Sequence, residues 1–173
     1  SRYPDGSTTG ALGIYGSYKV NISEKLTLTT GLRLSYNALD AVFDTSVIKF
    51  PYTKVSLRDA APTGNIGLVF RPAQGWQINM NISTGYRMPN IDDIGKFFES
   101  TPGYTTVPNP DLSSEYAWNF ELGVARRVSQ KINFELTAFY TKLDNAIVKR
   151  PFTFNGEDYI IINGDTSGVE ALQ

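Results

Sequence analysis

Through residues 10–22, 26–37, 64–71, 76–87, 115–125 and 132–141, even-numbered positions are mostly apolar and odd-numbered positions mostly polar or small, with one parity kept throughout. The even series runs Leu12, Ile14, Tyr18, Val20 and Ile22, then Leu26, Leu28, Leu32, Leu34 and Tyr36, then Ile66, Leu68 and Phe70. It continues as Trp76, Ile78, Met80, Ile82 and Tyr86, then Tyr116, Trp118, Phe120, Leu122 and Val124, and closes on Ile132, Phe134, Leu136, Ala138 and Tyr140. Gly10, Gly16, Thr30, Gly64 and Thr84 interrupt it, while Tyr15, Val69 and Phe139 are large apolar residues on the odd side. Successive side chains of a strand point to opposite faces, so these runs predict long strands with one apolar face and one polar face.

The connections alternate short and long. Ser23 to Lys25, Pro72 to Gly75 and Arg127 to Lys131 are short, whereas Ala38 to Thr63, Met88 to Ser114 and Lys142 to Ser167 are long. Parity survives the first short turn if Ile22 faces Leu26 across an odd-numbered hairpin loop, so consecutive strands are expected to pair antiparallel. A soluble sandwich has strands of about five or six residues and no systematic difference between its two ends. Outer-membrane barrels have short turns at one end and long loops at the other.

Alternation alone does not say which face meets water. Strand length favours lipid, because about 9 to 11 tilted residues cross a bilayer. Charge placement agrees. Lys19, Arg33, Arg71, Arg87, Glu115, Glu121 and Glu135 are all odd, while the even charges Arg126 and Lys142 sit at strand ends. A basic residue facing the lipid midplane costs about 2 to 4 kcal/mol and almost nothing at the interface. Aromatic residues of the even face gather at two heights: Phe70, Trp76 and Phe134 near the short turns, and Tyr36, Tyr86, Trp118 and Tyr140 near the long loops. From Trp76 to Tyr86 a tilted strand covers roughly 25 Å, the height of an apolar band, so these seven are expected to be lipid-interface aromatics. The competing assignment places them in the core of a water-soluble β-domain acting as a binding module. The fold expected is all-β: an antiparallel up-and-down transmembrane β-barrel segment of about six to eight strands. A seventh strand is expected at Gly168 to Leu172. Such a set leaves free edges, which a membrane barrel cannot have, so the segment is read as part of a larger barrel.

Composition removes other functions. The chain has 173 residues, no cysteine, no histidine and a net charge of −1. Disulfides, thiolate chemistry, the commonest metal ligand and the usual general base are all absent, so an enzyme is not expected and neither cofactor nor metal is assigned. The charge balance gives no nucleic-acid partner.

The stretch Gly85-Tyr86-Arg87-Met88-Pro89-Asn90 is similar to the "FRAPN" box of TonB-dependent outer-membrane receptors, and Val107-Pro108-Asn109-Pro110-Asp111-Leu112-Ser113-Ser114-Glu115 resembles their "PNPDLKPE" box. Trp118 to Gly123, Ala138 to Ile147 and Gly168 to Ala171 continue the resemblance, in order and spacing, over residues 62–171. It implies that residues 1–173 are a partial β-barrel domain from the middle or later strands, without the plug domain or the final strands. The full-length chain would then be an importer of a scarce nutrient (siderophore-iron, cobalamin, glycan or peptide) in the outer membrane of a Gram-negative bacterium. Its partners would be outer-membrane lipid, the plug domain of the same chain, the TonB complex acting through the N-terminal region, and a small-molecule or oligomeric nutrient. A passive porin or an adhesin barrel shares the physical features but not the boxes. In haem-uptake members a loop histidine lies between the boxes. Here Ile91 to Pro108 has none, nor has the rest of the chain, so haem is disfavoured as the cargo.

Candidate ligand contacts in the lumen or extracellular mouth are Arg87, Asn90, Asp92, Phe97, Phe98, Tyr104, Asn109 and Asp111. Arg87 faces inward at the loop end of its strand, where it is expected to hold the plug or to meet an anionic ligand. Asp92, Asp93, Glu99 and Asp111 match no EF-hand spacing, so they are read as solvated loop carboxylates. Pro108 to Asp111 predicts a rigid turn. Phe97, Phe98 and Tyr104 either contact ligand or pack the loop on itself.

Overall fold

The computed structural model describes residues 6–43, 53–94, 98–101, 104–107, 109, 111–154, 157–165 and 169–172. In chain order the elements are β1 (Thr8–Ser23), β2 (Leu26–Val42), β3 (Lys54–Phe70), β4 (Trp76–Arg87), α1 (Ile91–Ile94), β5 (Phe98–Thr101), β6 (Tyr104–Val107), β7 (Glu115–Arg127), β8 (Asn133–Asp144), β9 (Ala146–Phe154), β10 (Glu157–Asp165) and β11 (Val169–Leu172). Seven strands form one antiparallel wall in the order β1-β2-β3-β4-β7-β8-β11. The six alternating stretches and the short terminal strand are its members; Gly168, expected to begin that strand, lies outside the described residues.

One parity runs across the whole wall. Leu12 opposes Tyr36, Tyr36 opposes Ala60, Ile66 opposes Ile82, Ile82 opposes Phe120 and Phe120 opposes Tyr140, so even residues share a face from β1 to β8. Among the described residues, every exposed large hydrophobic has an even number except Tyr15. Leu12 is 75% exposed, Ile66 55%, Met80 51% and Leu136 76%, so no second protein layer covers this face among the described residues. Side chains of this size would ordinarily be buried, and a contiguous exposed sheet of them marks a surface made for a partner other than water.

The short turns keep the parity by different means. In the first, Asn21 pairs with Thr27 and Ser23 with Leu26, so Ile22 is a bulged residue and not the partner of Leu26 that sequence spacing suggests. A bulge inserts one residue on one strand and so restores the register. In the second, Gly75 takes φ 75°, and its carbonyl accepts the Arg127 N–H at 2.7 Å. A Cβ there would lie 2.6 Å from the Arg127 carbonyl oxygen, so only glycine fits this turn.

At the other end β2 and β3 continue to Val42 and Lys54, well into the segment that the sequence reading treats as loop. The pattern inverts there. Leu39, Ala41 and Val55 are odd and buried, while the even residues Asp40, Ser56 and Arg58 form a polar cluster on the opposite face. The apolar side of this ribbon is thus its odd side, the reverse of the wall, which hides its strands from a search for one unbroken alternation. Leu39, Ala41 and Val55 pack with Ile94 of α1 and Leu112, and Phe43, Leu57, Met88, Ile91 and Ile147 surround them. This is the hydrophobic core of the described residues, and it sits at the long-loop end.

The long connections also hold structure. Strands β5, β6, β10 and β9 make a second sheet in that order, with β6 and β10 parallel and the other pairs antiparallel. Between β8 and β9, Asn145 takes φ 55°, a left-handed conformation that asparagine tolerates, and here the chain turns out of the wall.

Candidate functional site at the long-loop end

The candidate contacts divide into two groups and a remainder. Asn90 caps α1: its Oδ1 accepts the N–H groups of Asp92 at 2.8 Å and Asp93 at 3.0 Å. Asp93 returns the contact, its Oδ2 accepting the Asn90 N–H at 3.0 Å. This is a reciprocal capping box with asparagine and aspartate in the two roles. Arg87, the last residue of β4, donates to Asp93 Oδ2 at 2.6 Å and stands 4.0 Å from Glu115. Glu115 in turn accepts the Ile147 N–H at 3.0 Å. One chain of contacts therefore joins α1, the start of β7 and the start of β9. Arg87 is thus paired within this end of the wall, bonded to Asp93 and beside Glu115.

Asn109 and Asp111 lie in the second group. Asn109 is buried, and its Oδ1 accepts the Asp111 N–H at 3.0 Å, a side-chain turn of the kind asparagine forms. Asp111 is exposed. Of the remainder, Phe98 and Tyr104 occupy β5 and β6. Phe97, Pro108 and Pro110 lie outside the described residues.

The residues that organise this end but were not singled out as contacts are Asp59, Asp93, Ser114 and Glu115. Ser114 donates to Asp59, linking the second box to β3. The Asn37 side-chain amide reaches the Tyr86 hydroxyl at 3.4 Å, and the Tyr86 and Tyr116 rings lie 5.3 Å apart. An Asn-x-x-Asp spacing at 90–93 was available in the sequence as a helix-start signal. The bonds from Asp59 and Asn37 were not, because their partners are 55 and 49 residues away.

On the far side of the ribbon, Ser56 Oγ donates to Asp40 at 2.6 Å and Arg58 Nη2 donates at 2.5 Å. The Ser56 hydrogen bond first, and then Arg58, hold the Asp40 carboxyl below its ordinary range.

Of the expected interface aromatics, Tyr36, Phe70, Trp76, Trp118 and Phe134 are exposed, while Tyr86 and Tyr140 are half-buried beside Tyr116 and Phe120. The Arg126 guanidinium lies 4.8 Å from the Trp76 ring centroid and donates to the Gln74 carbonyl at 2.8 Å. Its charge is thereby drawn toward the short-turn end, as expected for a long basic side chain at an apolar boundary. Among the described residues no group of three or more acidic side chains is placed to hold a metal ion.

Residues 1–172 match the model of a family described as TonB dependent receptor-like, beta-barrel. The hemoglobin-haptoglobin utilization protein B of Neisseria meningitidis serogroup C is 29% identical over 125 residues, 69% of this chain and 15% of that protein. Among solved structures, the Serratia marcescens hemophore receptor HasR, in complex with its hemophore HasA and heme, superposes with a TM-score of 0.75 at 14% identity, covering 95% of this chain and 30% of that one. The copper transporter OprC gives 0.71 at 15% identity, covering 96% of this chain and 24% of its own. The FrpB iron transporter of Neisseria meningitidis gives 0.65 at 16% identity, with coverages of 91% and 21%. The chain therefore spans a small fraction of the proteins it resembles.

Proposed function

We propose that this chain, which belongs to the TonB-dependent receptor β-barrel family, is a stretch of barrel wall from the middle or later strands of an outer-membrane nutrient importer. The family consists of transporters and not enzymes, in agreement with the absence of histidine and cysteine. The observation that carries the reading is the single parity of the wall, which gives one exposed apolar face for lipid and one polar face for a lumen. Tyr36, Phe70, Trp76, Tyr86, Trp118, Phe134 and Tyr140 belong at the two lipid interfaces, and the long-loop end is the extracellular mouth.

In the full-length protein a plug domain would fill the lumen and the TonB complex would act on it from the N-terminal side. The names of the relatives, which refer to hemoglobin-haptoglobin, heme, copper and iron, favour an iron- or copper-bearing cargo over a glycan, peptide or cobalamin. If that cargo is haem, this segment supplies no histidine to its iron. Asn109, Asp111 and the strands carrying Phe98 and Tyr104 would shape the mouth, with Arg87, Asn90 and Asp92 framing its floor.

The test is growth of an iron-starved bacterium whose sole receptor of this type is the full-length protein, fed in turn with hemin, hemoglobin, ferric siderophores and, in a separate auxotroph, cobalamin. Growth on an iron source that requires both the receptor and TonB supports the reading. Growth independent of TonB, or cargo entry by passive diffusion, contradicts it.

A further inference from the structure

At the short-turn end the even face closes on two rows of different character. Leu26, Phe70, Ile78, Val124 and Leu136 are register partners in turn and make a row that is apolar throughout. In the next row toward the turns, Trp76 opposes Arg126 and Arg126 opposes Phe134, so an arginine stands between two aromatic residues, exposed by 41% and 64%. Two residues of a tilted strand advance about 5 Å along the barrel axis. The headgroup layer of a bilayer begins at the edge of the hydrocarbon and is about 5 to 7 Å deep. Arg126 therefore stands in that layer when the apolar rows fill the hydrocarbon.

Its charge is not neutralised by the wall. Arg126 spends one of its five N–H donors on the Gln74 carbonyl, and its guanidinium lies 4.8 Å from the Trp76 ring centroid, which braces the side chain. No carboxylate pairs with it among the described residues. Glu135, in the adjacent pair, opposes Ala125 and so belongs to the odd face. At the long-loop end of the even face, by contrast, Lys142 is paired with Asp144 at 2.9 Å. A cation at the edge of a low-dielectric layer, with no counter-charge on its own chain, attracts an anion more strongly than one in open water.

We propose that Arg126, braced on Trp76 and flanked by Phe134, binds the phosphate of a phospholipid headgroup in the leaflet at the short-turn end. The guanidinium presents a fork to two phosphate oxygens, while the exposed rings on either side meet the glycerol and the upper acyl carbons. The occupant is a lipid and not a soluble anion, because the row behind Arg126 offers exposed apolar residues, Phe70 at 41% and Leu136 at 76%, to its chains. The inference rests on the even face meeting lipid.

The experiment uses the full-length receptor in detergent, as wild type, Arg126→Gln, Arg126→Lys and Arg127→Gln. Each is titrated with phosphatidylglycerol, or with diacylglycerol of the same chains, and read by native mass spectrometry. Arg127 follows Arg126 in β7 on the odd face, so R127Q removes the same charge from the other side of the wall. The first phosphatidylglycerol is expected to bind wild type and R127Q alike, to bind R126Q at least about tenfold more weakly, and to be kept in part by R126K. Equal binding to wild type and R126Q, an equal loss in R127Q, or equal retention of diacylglycerol overturns the proposal. So does a loss in R126K as large as that in R126Q, which would assign the effect to packing on Trp76 and not to charge. A nitroxide at Leu136→Cys tests the underlying reading separately. Access to lipid-dissolved oxygen keeps position 136 on a lipid face whatever the titration gives, and shielding from it removes that face.

Discussion

Arg87 Nη2 stands 2.6 Å from the Asp93 carboxylate, so the last residue of β4 holds the helix that follows it. The pair is partly exposed, and pairs of this kind contribute about 0.2 to 1 kcal/mol. The Asn90 cap satisfies two helix N–H groups and is worth about 1 kcal/mol. Asn90→Ala is therefore predicted to speed hydrogen exchange at the Asp92 to Ile94 amides more than Arg87→Ala does. A larger effect of Arg87→Ala would mean that the ion pair, and not the cap, fixes the helix.

Gly64 is predicted to be intolerant of a side chain. A Cβ would lie 2.6 Å from the Gly31 carbonyl oxygen, and the Gly64 N–H donates to Thr84 Oγ1 at 2.9 Å, just where the β3–β4 ladder ends at Asn65 and Ser83. Gly64→Ala should destabilise the full-length barrel by about 1 to 3 kcal/mol, the usual range for overpacking. Gly10→Ala, which meets nothing within 4 Å, should stay within about 0.5 kcal/mol of wild type. Thermal unfolding of the two variants in detergent checks the difference.

The wall strands were legible because lipid on one side and water on the other impose a period of two on Leu32, Ile66, Met80 and Phe120. The upper β2–β3 ribbon was not, because Leu39, Ala41 and Val55 turn their apolar side inward once the lipid ends, reversing the parity. Strands β5, β6, β9 and β10 lie in segments with no sustained alternation, and their pairing joins two connections far apart in the chain. Asn90 and Arg87 were identified by type, but their role depends on Asp93 and Glu115 and on a four-residue helix too short to show a periodicity.

Acid is predicted to loosen the same ribbon. The Asp40 carboxyl is held below its ordinary range by Ser56 and then Arg58, so its folded pKa lies under the unfolded one. The stabilisation is then fully present above the unfolded value of about 3.9 and disappears as pH falls through the folded value. Amide protection around Ser56 and Arg58 should hold constant from neutral pH down to about 5 and weaken below about 4. In Asp40→Asn that acid-dependent component should vanish, leaving protection that no longer changes across this window.

The central claim is that even-numbered residues of the wall meet lipid and odd-numbered residues meet an aqueous lumen. Nitroxide labels placed one at a time from Ile78 to Thr84 of the full-length protein in bilayers test it most directly. Accessibility to lipid-dissolved oxygen is predicted to peak at Ile78, Met80 and Ile82, with accessibility to a water-soluble nickel complex peaking at Asn79, Asn81 and Ser83. Even positions shielded from both reagents, or the two patterns exchanged, would contradict the account.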